Sequence, residues 1–244
     1  MNLPSSVSRR KFLTFAGIGA ASTLAGCASS AGPGGQTIEY RNPIMPMVNG
    51  WFGGNGYNGE QPDPAVIYAA MEDNGYLLPA IPYQQIDPKY WRQRVVNDTG
   101  QPAGMVVVDT RTRFLYITEQ GGTAMRYGIG VGREGFAWQG TGVIQWRQKW
   151  PRWNPPNEMV DRQPELIKYS IKNGGMDPGL KNPLGARALY IFQGKQDTFY
   201  SLHGNPDWHS IGKAVSSGCI RMLNQDVIDV YDRVPEKAPI MVIQ

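Results

Sequence analysis

Two histidines and two cysteines are all that the 244 residues offer for Cys/His chemistry, and three of the four fall between His203 and Cys219. A thiol ordinarily titrates at about 8.5, so it needs a base or a positive neighbour to act as a nucleophile near neutral pH. His203 ends a predicted strand and is followed by Gly204, whose missing side chain leaves backbone carbonyls exposed. Such a carbonyl can accept from one imidazole nitrogen, fix the tautomer and turn the other nitrogen toward sulfur, in place of the Asp or Asn of a triad. Gly218, before Cys219, allows backbone N–H groups to converge near the sulfur as an oxyanion hole, a feature worth about 3 kcal/mol in acyl transfer. The two residues are too far apart for one helical face, so they meet only if the loop between them folds back; Asn205-Pro206-Asp207 and Ile211-Gly212-Lys213 make that easy. A lone histidine after a strand, or a lone Gly-Cys pair, says little. Together, with no competing thiol or imidazole nearby except His209, they point to a cysteine nucleophile with His203 as base. A structural zinc wants four close ligands, and Cys219, His203 and His209 offer three with no CxxC spacing, so no metal and no cofactor is expected.

The other cysteine is explained by an address. Ser8-Arg9-Arg10-Lys11-Phe12-Leu13 is a twin-arginine pattern, and the apolar, glycine-rich run to Ala25 is too short to remain as a membrane span. Residues 1–27 therefore read as a signal for twin-arginine export to the periplasm. The segment ends in Leu24-Ala25-Gly26-Cys27, which resembles a bacterial lipobox; the resemblance implies a lipid on Cys27 that anchors the chain to a membrane. Cleavage near Ala28 without lipid is the other reading. Exported proteins meet oxidising conditions in which cysteines cross-link. With Cys27 lipidated, Cys219 keeps its thiol, and its setting of Ser216-Ser217-Gly218 and Arg221 is not that of an aliphatic core cysteine. The whole chain carries +4, but Arg9, Arg10 and Lys11 supply three of those charges with no acid before Cys27, leaving about +1. Neither a basic stripe nor an RNP-like aromatic motif argues for a nucleic-acid partner.

The elements that must position the pair follow from periodicity. Residues from Ala28 to about Glu39 read as a tether, and the glycine- and aromatic-rich stretch to Glu60 as an irregular strap. Asp63, Pro64 and Gly75 suit the cap, first turn and left-handed exit of a short helix through Met71. A proline-punctuated segment follows, so 28–103 reads as a tether and N-terminal extension packed on a catalytic unit of 104–244. Strands are expected at 105–109, 113–117, 124–131, 142–148, 188–193, 198–203 and 240–243. Long proline- and glycine-rich connections between them argue for a mainly β sandwich or barrel with a few short helices and against a doubly wound α/β sheet. After the motif, Asn224 is placed to cap a helix carrying Val227, Ile228, Tyr231 and Val234 at three- and four-residue steps, which would cover the sheet behind the Cys219 turn.

His203-Gly204 together with Ser216-Ser217-Gly218-Cys219-Ile220-Arg221-Met222 resembles the signature of the L,D-transpeptidase catalytic domain (YkuD) family: a histidine, then after a loop Ser/Thr-His-Gly-Cys and a hydrophobic-Arg pair. The likeness covers about Gly104 to Gln244 and takes in Val131-Gly132-Arg133-Glu134-Gly135-Phe136, Trp150-Pro151-Arg152-Trp153 and Asn182-Pro183-Leu184-Gly185-Ala186-Arg187. It departs at Ser217, where many members carry a second histidine. Any proton handling at that position would pass to a hydroxyl, or His209 could fill in. What the resemblance implies is a β-sandwich of mixed and antiparallel strands that performs acyl transfer on peptidoglycan stem peptides. Cys219 would attack the bond between an L-centred third residue and D-alanine, His203 would protonate the departing amine, and a stem amine, an amine on an envelope protein or water would take the acyl group. Arg221 is placed to hold a substrate carboxylate or to make a salt bridge under the turn. Trp153 and Arg187, with Trp150, could line the donor groove or serve as packing residues. Hydrolysis by an L,D-carboxypeptidase and a catalytically inactive wall-binding lipoprotein are the alternative readings.

Overall fold

The larger strands form where the sequence is rich in β-branched and aromatic residues, and each turns at least one face to the core. The computed structural model describes residues 61–132, 138–216 and 219–244. The signal with Cys27, the tether, the strap to Glu60, residues 133–137, Ser217 and Gly218 lie outside the described residues.

The chain begins with a one-turn helix α1 (Pro64–Ile67) and a hairpin, β1 (Met71–Asp73) and β2 (Tyr76–Leu78). After two 3-10 turns come β3 (Gln93–Val96), β4 (Val106–Asp109), β5 (Phe114–Thr118), β6 (Thr123–Gly128) and the short β7 (Val131–Gly132). The long β8 (Gly140–Lys149) leads into a connection holding α2 (Asn157–Arg162) and two further 3-10 turns. Then follow β9 (Arg187–Gln193), β10 (Gln196–Gly204), β11 (Ala214–Ser216), β12 (Ile220–Met222), α3 (Asn224–Arg233) and β13 (Ala238–Ile243).

Nine strands form one sheet in the order β12-β10-β9-β8-β13-β4-β5-β6-β3. It is mixed: β10 with β12 and β13 with β4 run parallel, and the other neighbours are antiparallel. Val106, Val107 and Val108 are all buried, as a central strand requires, whereas β13 buries Ala238, Ile240 and Val242 at period two. Leu202 and Ile220 from one end of the sheet share a core with Leu115 and Met125 from the other, and Val227, Val230 and Val234 of α3 complete it. Arg221 and Gly130 exchange backbone hydrogen bonds of 2.8 and 2.9 Å, which ties the chain leaving β6 to β12 at the opposite edge. The sheet thus wraps over itself into the sandwich that the sequence led us to expect.

Three expectations need correction. The helix from Asp63 ends after one turn, although Asp63 does cap it through Ala65 N at 2.9 Å. Asn74 (φ 53°) and Gly75 (φ 81°) instead form the two-residue loop of the β1–β2 hairpin, a turn for which Asn-Gly is the preferred pair. Asn224 is the first residue of α3 and makes no cap; its side chain turns inward. The stretch after Cys219 is a three-residue strand rather than only a turn. Ahead of Gly104, β3 forms the sheet edge against β6.

Candidate active site

The end of β10 brings His203 to β12. The chain leaves at Asn205, whose N–H donates to Met222 O at 3.0 Å, and turns on Asp207, whose carboxylate accepts from Asn205's own loop successor His209 N at 3.1 Å. It then passes β11, which pairs with β7, and returns through Cys219 into β12. Register pairs Leu202 with Ile220, His203 with Arg221 and Gly204 with Met222. Leu202, Ile220 and Met222 face the core, while Ser201, His203, Cys219 and Arg221 line one cavity of about 670 Å³. The loop does fold back: His203 lies on β10, and Cys219 immediately precedes the adjacent parallel strand β12. Trp153, Tyr190 and Phe199 extend the lining, and Met159, Leu166 and Tyr169 from the α2 connection face them.

His203 is 5% exposed, and its Nδ1 lies 2.6 Å from Gly204 O. A carbonyl only accepts, so Nδ1 carries the proton and Nε2 keeps its lone pair in the neutral ring. Burial pushes the His203 pKa down to about 4; the Arg221 charge acts in the same direction, and the Gly204 and Pro183 carbonyls oppose it. Arg221 itself is lowered by burial, with Asp207 and Cys219 opposing. Tyr190 is pushed up to about 12, first by burial and then by the nearby Cys219 and Asp197. Near neutral pH the buried imidazole is therefore an uncharged acceptor, beside a guanidinium that can meet a carboxylate.

Gly204 has a second reason to be glycine: a Cβ there would overlap Asn224 Oδ1. Cys219 is half-buried and its Sγ lies 4.0 Å from Phe199 O. Phe199 was not singled out by the sequence. It sits at φ 60° in the register shift between Asp197 and Ser201, where Asp197 Oδ1 accepts from its N–H at 2.8 Å and Thr198 Oγ1 accepts from Tyr200 N at 3.2 Å. The only sequence signal was Asp197-Thr198, a pair whose side chains build local turns.

Arg221 and Trp153 line the cavity. Arg187 does not: it is 1% exposed, and its Nη1 and Nη2 each donate to Asp73 at 2.7 Å. A strand-start arginine facing inward must find a carboxylate, and the β1–β2 hairpin supplies it. Trp150 is buried as well, donating through Nε1 to the same Asp73 at 2.7 Å and stacking on Tyr76. His209 is exposed, bonded to Asp207 at 3.1 Å and stacked on Trp208, and it is not among the cavity residues. Ser217 and Gly218, expected beside the thiol, lie outside the described residues.

The L,D-transpeptidase catalytic domain, YkuD, matches residues 103–242, and the chain belongs to that family. It is 30% identical over 160 residues to a protein of Escherichia coli (strain K12) described as a probable L,D-transpeptidase, ErfK/SrfK, covering 62% of this chain and 47% of that one. The chain thus spans about half the length of that curated relative. Among solved structures, a Brucella melitensis protein described as a probable carnitine operon oxidoreductase, caia, is 45% identical, with 63% of this chain and 94% of that chain covered and a TM-score of 0.45. L,D-transpeptidase 3 from Mycobacterium tuberculosis is 14% identical, with 57% and 60% covered and a TM-score of 0.42.

Proposed function

We propose that the protein is a peptidoglycan L,D-transpeptidase that works through a Cys219 thioester with His203 as base. The observation that carries this reading is the placement of both side chains in one cavity, His203 on β10 and Cys219 at the entry to the neighbouring β12, with the His203 tautomer set by Gly204 O. As Sγ attacks the carbonyl between the third, L-centred residue of a stem and D-alanine, Nε2 takes the thiol proton. The tetrahedral intermediate collapses, the C–N bond breaks, and the same proton goes to the departing amine. An acceptor amine then attacks the thioester and gives its proton to Nε2, the C–S bond breaks as the new amide forms, and Nε2 returns that proton to sulfur, restoring the thiol. An imidazole pushed down to about 4 holds a proton poorly, so transfer from sulfur accompanies attack, and release to the amine is easy. Arg221 offers its planar fork to a substrate carboxylate, and Trp153 walls the donor side. Gly218 and Cys219 backbone N–H groups are assigned to the oxyanion and Ser217 to the hydroxyl beside it, on the motif alone.

The front of the chain extends the proposal. The twin-arginine pattern and Leu24-Ala25-Gly26-Cys27 support export to the periplasm and a lipid on Cys27, with 28–103 serving as tether and extension to a 104–244 catalytic unit; the acceptor amine is carried by a second stem or by an envelope protein. The reading is tested by intact mass after incubation with a tetrapeptide stem. The expected result is an acyl adduct and release of D-alanine; an equal adduct on Cys219→Ala sinks the assignment. Metabolic labelling with palmitate tests the anchor, with label lost in Cys27→Ala.

A further inference from the structure

We infer that Asn224 is a positioning residue for the His203 imidazole, held in place by the part of the chain that precedes the family-matched residues. The inference rests on the reading of His203 as the base.

Asn at the start of a helix ordinarily caps a backbone N–H one turn on. Asn224 does not. It is 7% exposed, and its Oδ1 accepts from Ala186 N at 2.9 Å. There it fills a notch between two glycines: a Cβ on Gly185 or on Gly204 would overlap Oδ1. Gly185 is at φ 59°, where glycine is at ease. Gly204 is therefore gripped between the Asn224 side chain and β12, whose Met222 O holds the next residue, Asn205, at 3.0 Å. The Gly204 carbonyl so fixed is the one that takes His203 Nδ1. Moving Asn224 would free that carbonyl to rotate, and with it the tautomer and aim of the ring.

The next two residues tie the same helical turn to the N-terminal segment. Gln225 Nε2 donates to Pro79 O at 2.9 Å. Asp226 accepts from Tyr68 Oη at 3.3 Å and lies 3.6 Å from Arg92, which reaches Asp229 at 2.8 Å. Ala186, the donor to Asn224, is fixed from the other side. Its carbonyl accepts from Trp150 N and from Arg187 Nη1, both at 2.8 Å, and both of those residues bond to Asp73. Tyr68, Asp73, Pro79 and Arg92 all lie before residue 103, where the family match begins. The N-terminal segment thus braces both walls of the notch.

The test uses the protein labelled with 15N at its histidines. In the wild type, His203 should show a single neutral tautomer with the proton on Nδ1, and an Nε2-protonated ring would overturn the inference before any variant is made. Asn224→Ser keeps a hydroxyl suited to a helix start but is too short to reach Ala186 N. It should give mixed or exchanging His203 tautomers and a fall of about 100-fold in kcat with KM little changed, as for a misaimed catalytic group. Asn224→Asp keeps the acceptor oxygen and puts charge where a helix N-terminus favours it, so it should recover the single tautomer and most of the rate. Lost turnover with an intact His203 tautomer overturns the positioning role. A changed tautomer with turnover untouched supports the positioning and removes His203 as the base, so the two readings fail separately.

Discussion

Two buried groups titrate in opposite senses as the protein unfolds, and replacing one should expose the other. His203 is pushed down from 6.5 to about 4, chiefly by burial, so between those values the unfolded chain binds the extra proton and stability rises with pH. Asp226, with no exposure, is pushed up from 3.8 to about 7, chiefly by burial, against the opposing charge of Arg92. Its folded form holds the proton that the unfolded form has lost, so its contribution is present at low pH and disappears as pH rises toward 7. Asp73 and Asp229 are both lowered, so their contributions fade only on the acid side of the ordinary carboxylate range, and a window from about pH 4.5 to 6.5 avoids them. Across that window each of the opposed groups changes stability by about 2 kcal/mol, at 1.36 kcal/mol per pH unit. In the wild type the two cancel and the urea midpoint should be nearly flat. Asp226→Asn mimics the protonated acid and should leave stability rising with pH by about 2 kcal/mol, the His203 contribution alone. His203→Gln should leave the opposite slope. Urea unfolding of the three proteins at half-unit pH steps decides it, and a flat profile in Asp226→Asn would refute the assignment of His203 as a buried, neutral ring.

Other consequences are more local. Asp73→Asn leaves the Arg187 guanidinium buried without its carboxylate and should cost about 3–5 kcal/mol in chemical denaturation; a loss under 1 kcal/mol would mean that Arg187 turns to solvent. Phe199→Asn places a residue that tolerates the left-handed region at φ 60°, and because Phe199 is 86% exposed little packing is lost, so thermal unfolding should show a gain of about 1 kcal/mol. Arg221→Gln removes a charge that depresses His203, so the acid limb of kcat/KM should move upward in pH while kcat/KM falls; a limb that stays in place would show that Arg221 does not act on the ring.

The larger strands were legible because their cause is local. Val106 to Val108, Phe114 to Ile117 and Ala188 to Gln193 carry enough β-branched and aromatic side chains to name themselves. Strands of two or three residues carry no such period: β7, β11 and β12 exist because the returning loop finds a partner, Val131 for Ala214 and Leu202 for Ile220. Asn74-Gly75 was misread since the same pair ends helices and turns hairpins, and only the burial of Leu78 and the stacking of Tyr76 on Trp150 choose between them.

At the site the same division holds. The link from His203 to Gly204 spans one residue, and the absence of a side chain at 204 was enough to suggest a carbonyl partner for the ring. Asn224 was assigned to the nearest task an asparagine has at a helix start, but an acceptor does not distinguish an N–H of its own helix from one on a neighbouring strand. The choice falls to geometry: Gly185 and Gly204 leave a space that the amide fills, and Ala186 N points into it. Arg187 shows the same limit from the other side. Its charge demanded either a substrate carboxylate or a protein one, and the deciding residue, Asp73, lies in a hairpin more than a hundred positions earlier. What a short motif states is the pair proposed to react; what holds that pair in register is distributed through residues whose own sequence neighbourhoods say nothing about it.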